Sequence, residues 1–369
     1  MKNLIVSQYQ RIKALYVRYE RWLMPLMLLG GFLLDYFTFT SITISTTFIL
    51  LFGYWILVGA VIAFTHLYDA QKLPWWLQFK YVRLFSPLLI QFAFGSLLGS
   101  SLIFYWFSGA FAISWPVMAI LVLLLVFNET FRKYFEKPLV HLGVYYFATL
   151  SLFSVWLPFL FNSLSAWLFV AAGAGSVVIF GAYIHYLCRF AGHLQAQKKW
   201  FFVSMIAIAA MMNVLYFTNI IPPIPLALRE AGLYHGINTF VDKYVMTAEL
   251  ENFLQAAQAM MFGQTLHVIP GEKIYLYTAI FAPANLETTI VHRWQYYDAA
   301  QKKWVDRGKL LFAINGGRKD GYKGYSWQTD LAAGSWRVYV QNQRGQILAR
   351  VRFNVERVAK PAALEQVVR

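Results

Sequence analysis

The residues able to do chemistry are few and far apart. Asp35 is the one carboxylate inside a long apolar run. A carboxylate at that depth is costly unless a partner, water or a proton meets it, which makes Asp35 a candidate functional group. It also lies towards the end of its run, where a water-exposed structural role would serve. His66, His141 and His185 fall near the ends of three other apolar runs, with Asp69, Glu129 and Glu136 in neighbouring connections. Three imidazoles at one level can ligate a metal or relay protons. No i, i+3 or i, i+4 spacing puts two of them on one helix, so ordinary interfacial histidine is the simpler reading, and neither a metal nor a cofactor is expected.

Nearer the C-terminus, Gly316–Tyr325 combines closely spaced glycines with Arg318, Lys319 and Lys323. Exposed amides beside cations suit a phosphate or carboxylate, and Tyr322 and Arg293 complete the candidate ligand surface. The G-x-x-x-x-G-K-[ST] pattern is missing and no helix follows, which excludes a nucleotide loop. A hairpin whose glycines serve backbone geometry is the alternative. Trp294, Trp304, Trp327 and Trp336 offer stacking faces for sugars, although the usual place of such rings in a sandwich is its core. His292, beside Arg293, has no nucleophile or carboxylate partner in the sequence. No catalytic constellation emerges, and an enzyme is not expected. Cys188 is the only cysteine, so no internal disulfide forms.

The elements that must position these groups are written in the hydropathy. Of 369 residues, 59% are hydrophobic and 13% charged, a composition built for lipid. Apolar runs near 22–40, 44–66, 84–107, 110–127, 139–161, 166–187 and 200–221 are each long enough for a transmembrane helix, which predicts about seven spans in an all-α bundle over 22–221. Before them, residues 1–21 place Ile5, Tyr9, Ile12, Tyr16 and Tyr19 at helical steps among basic residues. That pattern fits a cytoplasmic interfacial helix or a plain extension of the first span. The first apolar run starts only at Trp22 and no A-x-A-like site follows it, so the first helix is expected to stay as a signal anchor.

Alternate connections are basic: residues 2–21, then Lys72, Lys80 and Arg83, then Arg132, Lys133 and Lys137, then Arg189, Lys198 and Lys199. The positive-inside rule then places the N-terminus in the cytoplasm and, after an odd number of crossings, the C-terminal domain in the periplasm of a bacterial-type inner membrane. Charge in those loops orients the chain, and no nucleic-acid partner is expected. Small residues at Gly95 and Gly99, and at Gly173 and Gly175, are expected to let helices approach closely.

The membrane domain ends at Pro222, Pro223 and Pro225, which cannot continue a helix. A linker with an amphipathic juxtamembrane helix, carried by Leu250, Phe253, Leu254, Ala257, Met260 and Met261, is expected over 222–263. From there to residue 358 the pattern predicts strands near 273–282, 288–297, 303–314, 322–328, 335–341 and 346–355, forming an antiparallel all-β sandwich before a tail at 359–369. In the final hairpin Trp336, Val338 and Val340 point inward, and Arg337, Tyr339 and Gln341 outward.

The stretches Ile220–Pro225, His292-Arg-Trp294, Gly316–Tyr325 and Gly334-Ser-Trp-Arg-Val338 resemble the bacterial family called domain of unknown function twenty-nine fourteen, in its multispan membrane form. The resemblance implies an immunoglobulin-like sandwich and no particular activity. Lys323 stands where arginine is expected, which would weaken a bidentate anion contact there. The resulting expectation is a non-enzymatic envelope protein. Its sandwich recognises an anionic polymer, lipid headgroup or protein outside, while the bundle anchors it in the lipid bilayer. A transporter or membrane-embedded enzyme, or a sensor signalling through a separate partner, are the alternatives.

Overall fold

The computed structural model describes residues 2–39, 44–108, 111–130, 138–222, 226–240, 243–250, 263–282, 286–317 and 321–369. The chain divides into a helical unit and a strand-rich unit, the latter built mainly from residues 219–369.

In the helical unit, α1 (Lys2–Phe39), α2 (Ile44–Asp69), α3 (Lys80–Ser108), α4 (Phe111–Thr130), α5 (Pro138–Leu160), α6 (Ala166–Phe190), a one-turn α7 (Gly192–Gln195) and α8 (Lys198–Phe217) follow the apolar runs. Among the described residues five helices, and not seven, are long and apolar enough to cross a membrane: α2, α3, α5, α6 and α8. The expected spans in α1 and α4 are not among them. α1 is one continuous helix with Pro25 and Asp35 inside it and Glu20 and Arg21 beside its apolar stretch. In α4 the apolar helix found among the described residues is Ser114–Leu124. Trp75, Trp76, Trp115 and Trp200 are exposed, as a membrane-interface belt would have them.

Helices α1 and α3 touch backbone to backbone. A Cβ on Gly95 would run into the Leu28 carbonyl, one on Gly31 into the Phe92 carbonyl and one on Gly99 into the Phe32 ring. Gly95 and Gly99 therefore do what small residues in spans are expected to do, whereas Gly175 faces open space.

The strand region begins earlier than its expected start near residue 264. β1 (Ala227–Tyr234), β2 (Gly236–Phe240) and β3 (Lys243–Glu249) occupy much of the expected linker, while residues 251–262, which carry most of the amphipathic pattern, lie outside the described residues. Then come β4 (Gln264–Val268), β5 (Lys273–Phe281), β6 (Glu287–Asp298), β7 (Lys303–Asn315), β8 (Tyr322–Thr329), β9 (Gly334–Asn342), β10 (Ile347–Arg357) and β11 (Leu364–Val368). They form three sheets, in the orders β1-β5-β8, β4-β10-β9-β6-β7 and β11-β3-β2. The arrangement is not wholly antiparallel, because β4 runs parallel to β10. Parallel neighbours need a long crossover and leave no hairpin signal between them. The expected tail supplies β11, which pairs with β3.

The first two sheets enclose one core, in which Ile274, Leu276 and Ile280 meet Ile290, Trp294, Trp336, Val338, Val340 and Phe353. A polar clasp crosses it. His292 of β6 sets Nε2 3.1 Å from Thr278 Oγ1 on β5 and Nδ1 2.8 Å from Ser326 Oγ on β8. Trp294 Nε1 donates to the same Ser326 oxygen at 2.9 Å, and Thr278 Oγ1 donates to the Gly324 carbonyl at 3.3 Å. One proton arrangement satisfies every group: Trp294 to Ser326, Ser326 to Nδ1, Nε2 to Thr278, Thr278 to Gly324. It requires a neutral ring, and burial pushes the His292 pKa down to about 3.

Two outcomes test this packing. Gly95→Val lowers stability in detergent by about 2 kcal/mol through overpacking, while Gly30→Val, whose Cβ meets nothing, does not. His292→Ala leaves Thr278 and Ser326 without their partner and costs about 3 kcal/mol in denaturant melts. The wild type also loses stability as pH falls from the ordinary imidazole value of 6.5 towards 3, because the unfolded ring takes up a proton that the folded ring refuses.

Candidate functional site

Of the polar residues singled out in the helices, His66 and His141 lie near enough for charge on one to act on the other, and Asp35 meets Ser96. Asp35 is fully buried, not water-exposed, with Ser96 Oγ donating to its Oδ2 and no protein partner at Oδ1. His66 Nδ1 lies 3.2 Å from Nε2 of His193, a residue outside the expected trio. His141 packs edge-on against Phe94, and His185 is exposed on α6. Among the described residues no group of three or more His, Cys, Asp or Glu is set to hold a metal.

In the glycine-rich stretch, the first two amides are taken up by the backbone. The Gly316 and Gly317 amides donate to the carbonyls of Leu286 and Ala282. Gly321 takes φ +83°, a left-handed conformation that favours glycine, and a Cβ on Gly324 would strike the Phe312 ring. Tyr322 packs on the core, and Lys323 Nζ lies 5.8 Å from the Tyr244 ring. Arg318 and Lys319 lie outside the described residues. Of the four tryptophans, Trp294 and Trp336 are core, Trp327 is exposed and Trp304 is partly covered by an arginine.

That arginine belongs to a densely charged surface of the β unit. On β6, β9 and β10 alternate residues fill the core, so their neighbours project from the other face of the five-stranded sheet. Register aligns them in two rows. Lys309, Arg293, Tyr339 and Arg350 form one across β7, β6, β9 and β10. Asp306, Gln295, Arg337 and Arg352 form the other. The two rows thus set five cations beside one carboxylate.

Part of the face is held rigid. Arg293 grips Asp306 through two 2.8 Å bonds, Gln295 Nε2 donates to Asp306 at 2.6 Å, and Arg337 Nε donates to Gln295 Oε1 at 2.8 Å. The Arg337 guanidinium lies 4.0 Å from the Trp304 ring centre and 5.0 Å from that of Tyr339. The hydrogen bonds from Arg293 hold the Asp306 carboxyl below its usual range, and in return raise Arg293. Arg337 is pushed down, first by burial and then by the charges of Arg350, Arg352 and Arg293. Among the described residues neither Arg350 nor Arg352 pairs with a carboxylate. The sequence showed Arg293 and the outward direction of Arg337. It gave no sign that Lys309, Arg350 and Arg352 join them, because register is not visible in a single strand.

Residues 287–355 match the family described as "Protein of unknown function (DUF2914)". Every residue of the two charged rows lies inside that segment. No curated protein matches the chain. Among solved structures, the chain is similar to an immunoglobulin-like protein from Pseudomonas aeruginosa at 13% identity, over 36% of this chain and 98% of that one, with a TM-score of 0.21. It is also similar to an alkylpurine DNA glycosylase from Pseudomonas fluorescens bound to DNA containing an abasic site analogue, at 11% identity, over 83% of this chain and 96% of that one, again with a TM-score of 0.21. At such scores neither likeness bears on the chemistry of this chain.

Arg350 and Arg352 contribute charge to the surface without supporting the core. Replacing both with glutamine is expected to change stability by no more than about 0.5 kcal/mol in a denaturant melt.

Proposed function

We propose that this chain is a non-enzymatic, membrane-anchored binding protein of a bacterial envelope, and that its β unit holds an extended anionic polymer on the arginine face. The observation that carries the reading is the pair of charged rows, five cations to one carboxylate on an open sheet surface. Cations that repel one another are relieved by an anion with repeated charges, and guanidinium forks suit phosphate, sulfate or carboxylate groups. The helices α2, α3, α5, α6 and α8 anchor the protein in the bilayer. With five crossings the basic residues before α2 and the connection Arg189–Lys199 fall on one side and the β unit on the other, which supports a cytoplasmic N-terminus and a periplasmic β unit of an inner membrane. Arg318 and Lys319 stay candidates for the same ligand class.

The full chain in nanodiscs of neutral lipid is expected to bind fluorescent dextran sulfate and polyphosphate, more weakly as salt rises. Arg337→Gln combined with Arg350→Gln and Arg352→Gln should weaken that binding by about a hundredfold, at a few tenths to one kcal/mol or more for each lost charge-assisted contact. Equal binding by the triple variant would refute the site. Binding only to vesicles of anionic lipid would replace the polymer with a headgroup surface. A reporter fused at Arg369 tests the topology, and activity on the cytoplasmic side would overturn it.

The buried Asp35 supports a second reading, a transport or catalytic site among the helices. Full complementation of a deletion phenotype by Asp35→Asn would remove its motive.

A further inference from the structure

Away from the arginine face, the β unit contains an alternating chain of carboxylates and imidazoles. His235 sits in the single-residue turn between β1 and β2, with its side chain 4% exposed. Its Nδ1 is 2.6 Å from Glu272 Oε1 and its Nε2 is 2.9 Å from Glu249 Oε1. Glu249, the last residue of β3, is itself buried. Its Oε1 accepts the His267 backbone N–H at 2.6 Å, and its Oε2 lies 2.9 Å from His267 Nδ1 on β4. Glu272, in the turn before β5, accepts the Ile269 N–H at 3.0 Å. Beyond them, Glu356 of β10 lies 3.7 Å from His267 Nε2.

A neutral imidazole has one donor and one acceptor. At His235 both ring nitrogens face carboxylate oxygens, so a neutral ring would turn a lone pair towards one of them. Only the imidazolium satisfies both. The groups facing it are Glu249 from β3 and Glu272 from the turn before β5, with His267 and Glu356 one and two steps further out. The His235 backbone N–H also donates to the Thr247 carbonyl on β3 at 2.8 Å, which ties the charged ring to the third sheet.

We infer that the His235 imidazolium is a latch holding the β11-β3-β2 sheet against the sandwich, and that losing its proton releases this sheet while the main core stays closed. Further fastenings are the cluster of Tyr234, Met246, Tyr277 and Ala279, the Glu249 bonds to His267 on β4, the contacts of Tyr244 with Tyr325 and Lys323 on β8, and the Glu230–Arg369 ion pair. None of them supplies the positive charge that the His235 ring places between Glu249 and Glu272.

Protonation chemistry agrees with the geometry. Burial works against charge on His235, but the hydrogen bonds it donates to Glu249 and Glu272 outweigh it and raise the pKa above 6.5. Burial likewise opposes charge on Glu249, and hydrogen bonds from His235 and His267 outweigh it and lower the pKa below 4.5. The His235 contribution is therefore full below 6.5 and lost as pH rises through its raised value. The Glu249 contribution is present above 4.5 and lost as pH falls through its lowered one. The latch is tightest between the lowered Glu249 value and 6.5, and it loosens as pH rises from 6.5 through the raised His235 value.

The test is hydrogen exchange of the full chain in nanodiscs from pH 6 to 9, corrected for intrinsic chemical exchange, comparing β2–β3 peptides with β6 and β9 peptides. Opening of β2–β3 should rise by up to about tenfold per pH unit above 6.5 and then level off, while β6 and β9 stay protected. His235→Gln should remove the pH dependence and leave β2–β3 open throughout. Glu272→Gln, which keeps the Glu249 partner, should shift the transition to lower pH. Protection of β2–β3 in the wild type that does not vary across this range would overturn the latch, as would an unchanged transition in a folded His235→Gln protein.

Discussion

The dry space between two sheets governs the β unit. Once Ile274, Leu276 and Ile280 face Trp294, Val338 and Phe353, the period of two along each strand leaves no choice about where their neighbours point. His292 makes that interior specific as well as greasy. It takes a single tautomer, meets hydroxyls from two strands of the opposite sheet and, through Ser326, shares a partner with Trp294. A buried polar group of this kind costs several contacts if it is shifted, so it opposes a slip of β6 against β5 and β8. The His292-Arg-Trp294 motif thus has a physical content: its outer two residues build the core and its middle one stands on the opposite face.

That face shows how a sheet concentrates charge. Adjacent strands are about 5 Å apart, so arginines brought side by side by register feel one another strongly unless something intervenes. Here Asp306, Gln295 and the rings of Trp304 and Tyr339 intervene for Arg293 and Arg337, and nothing comparable does for Arg350 and Arg352. Half of the surface is preorganised and the other half carries unneutralised charge. An anionic ligand would find both geometry and driving force in one place.

The helical unit follows the other logic of membrane proteins, in which contact is decided by what is small. Gly31, Gly95 and Gly99 bring α1 and α3 together, and the same contact buries Asp35 against Ser96. A residue that reads as an isolated charge in an apolar run is thus part of a helix crossing.

Much was legible in the residues alone. The apolar runs outline the helices, and the alternation of Trp336, Val338 and Val340 with Arg337, Tyr339 and Gln341 marks both faces of β9. Six strand positions from 273 to 355 follow from period and turn residues, because these are local properties. What the tertiary structure alone decided is adjacency. The parallel pairing of β4 with β10, the meeting of residues 293, 309, 337, 350 and 352 on one surface, and the convergence of His235, Glu249, His267 and Glu272 all join positions far apart in the chain. A strand's pattern says which of its faces is dry. It does not say which strand lies beside it, since that depends on how the whole set of faces closes around one core.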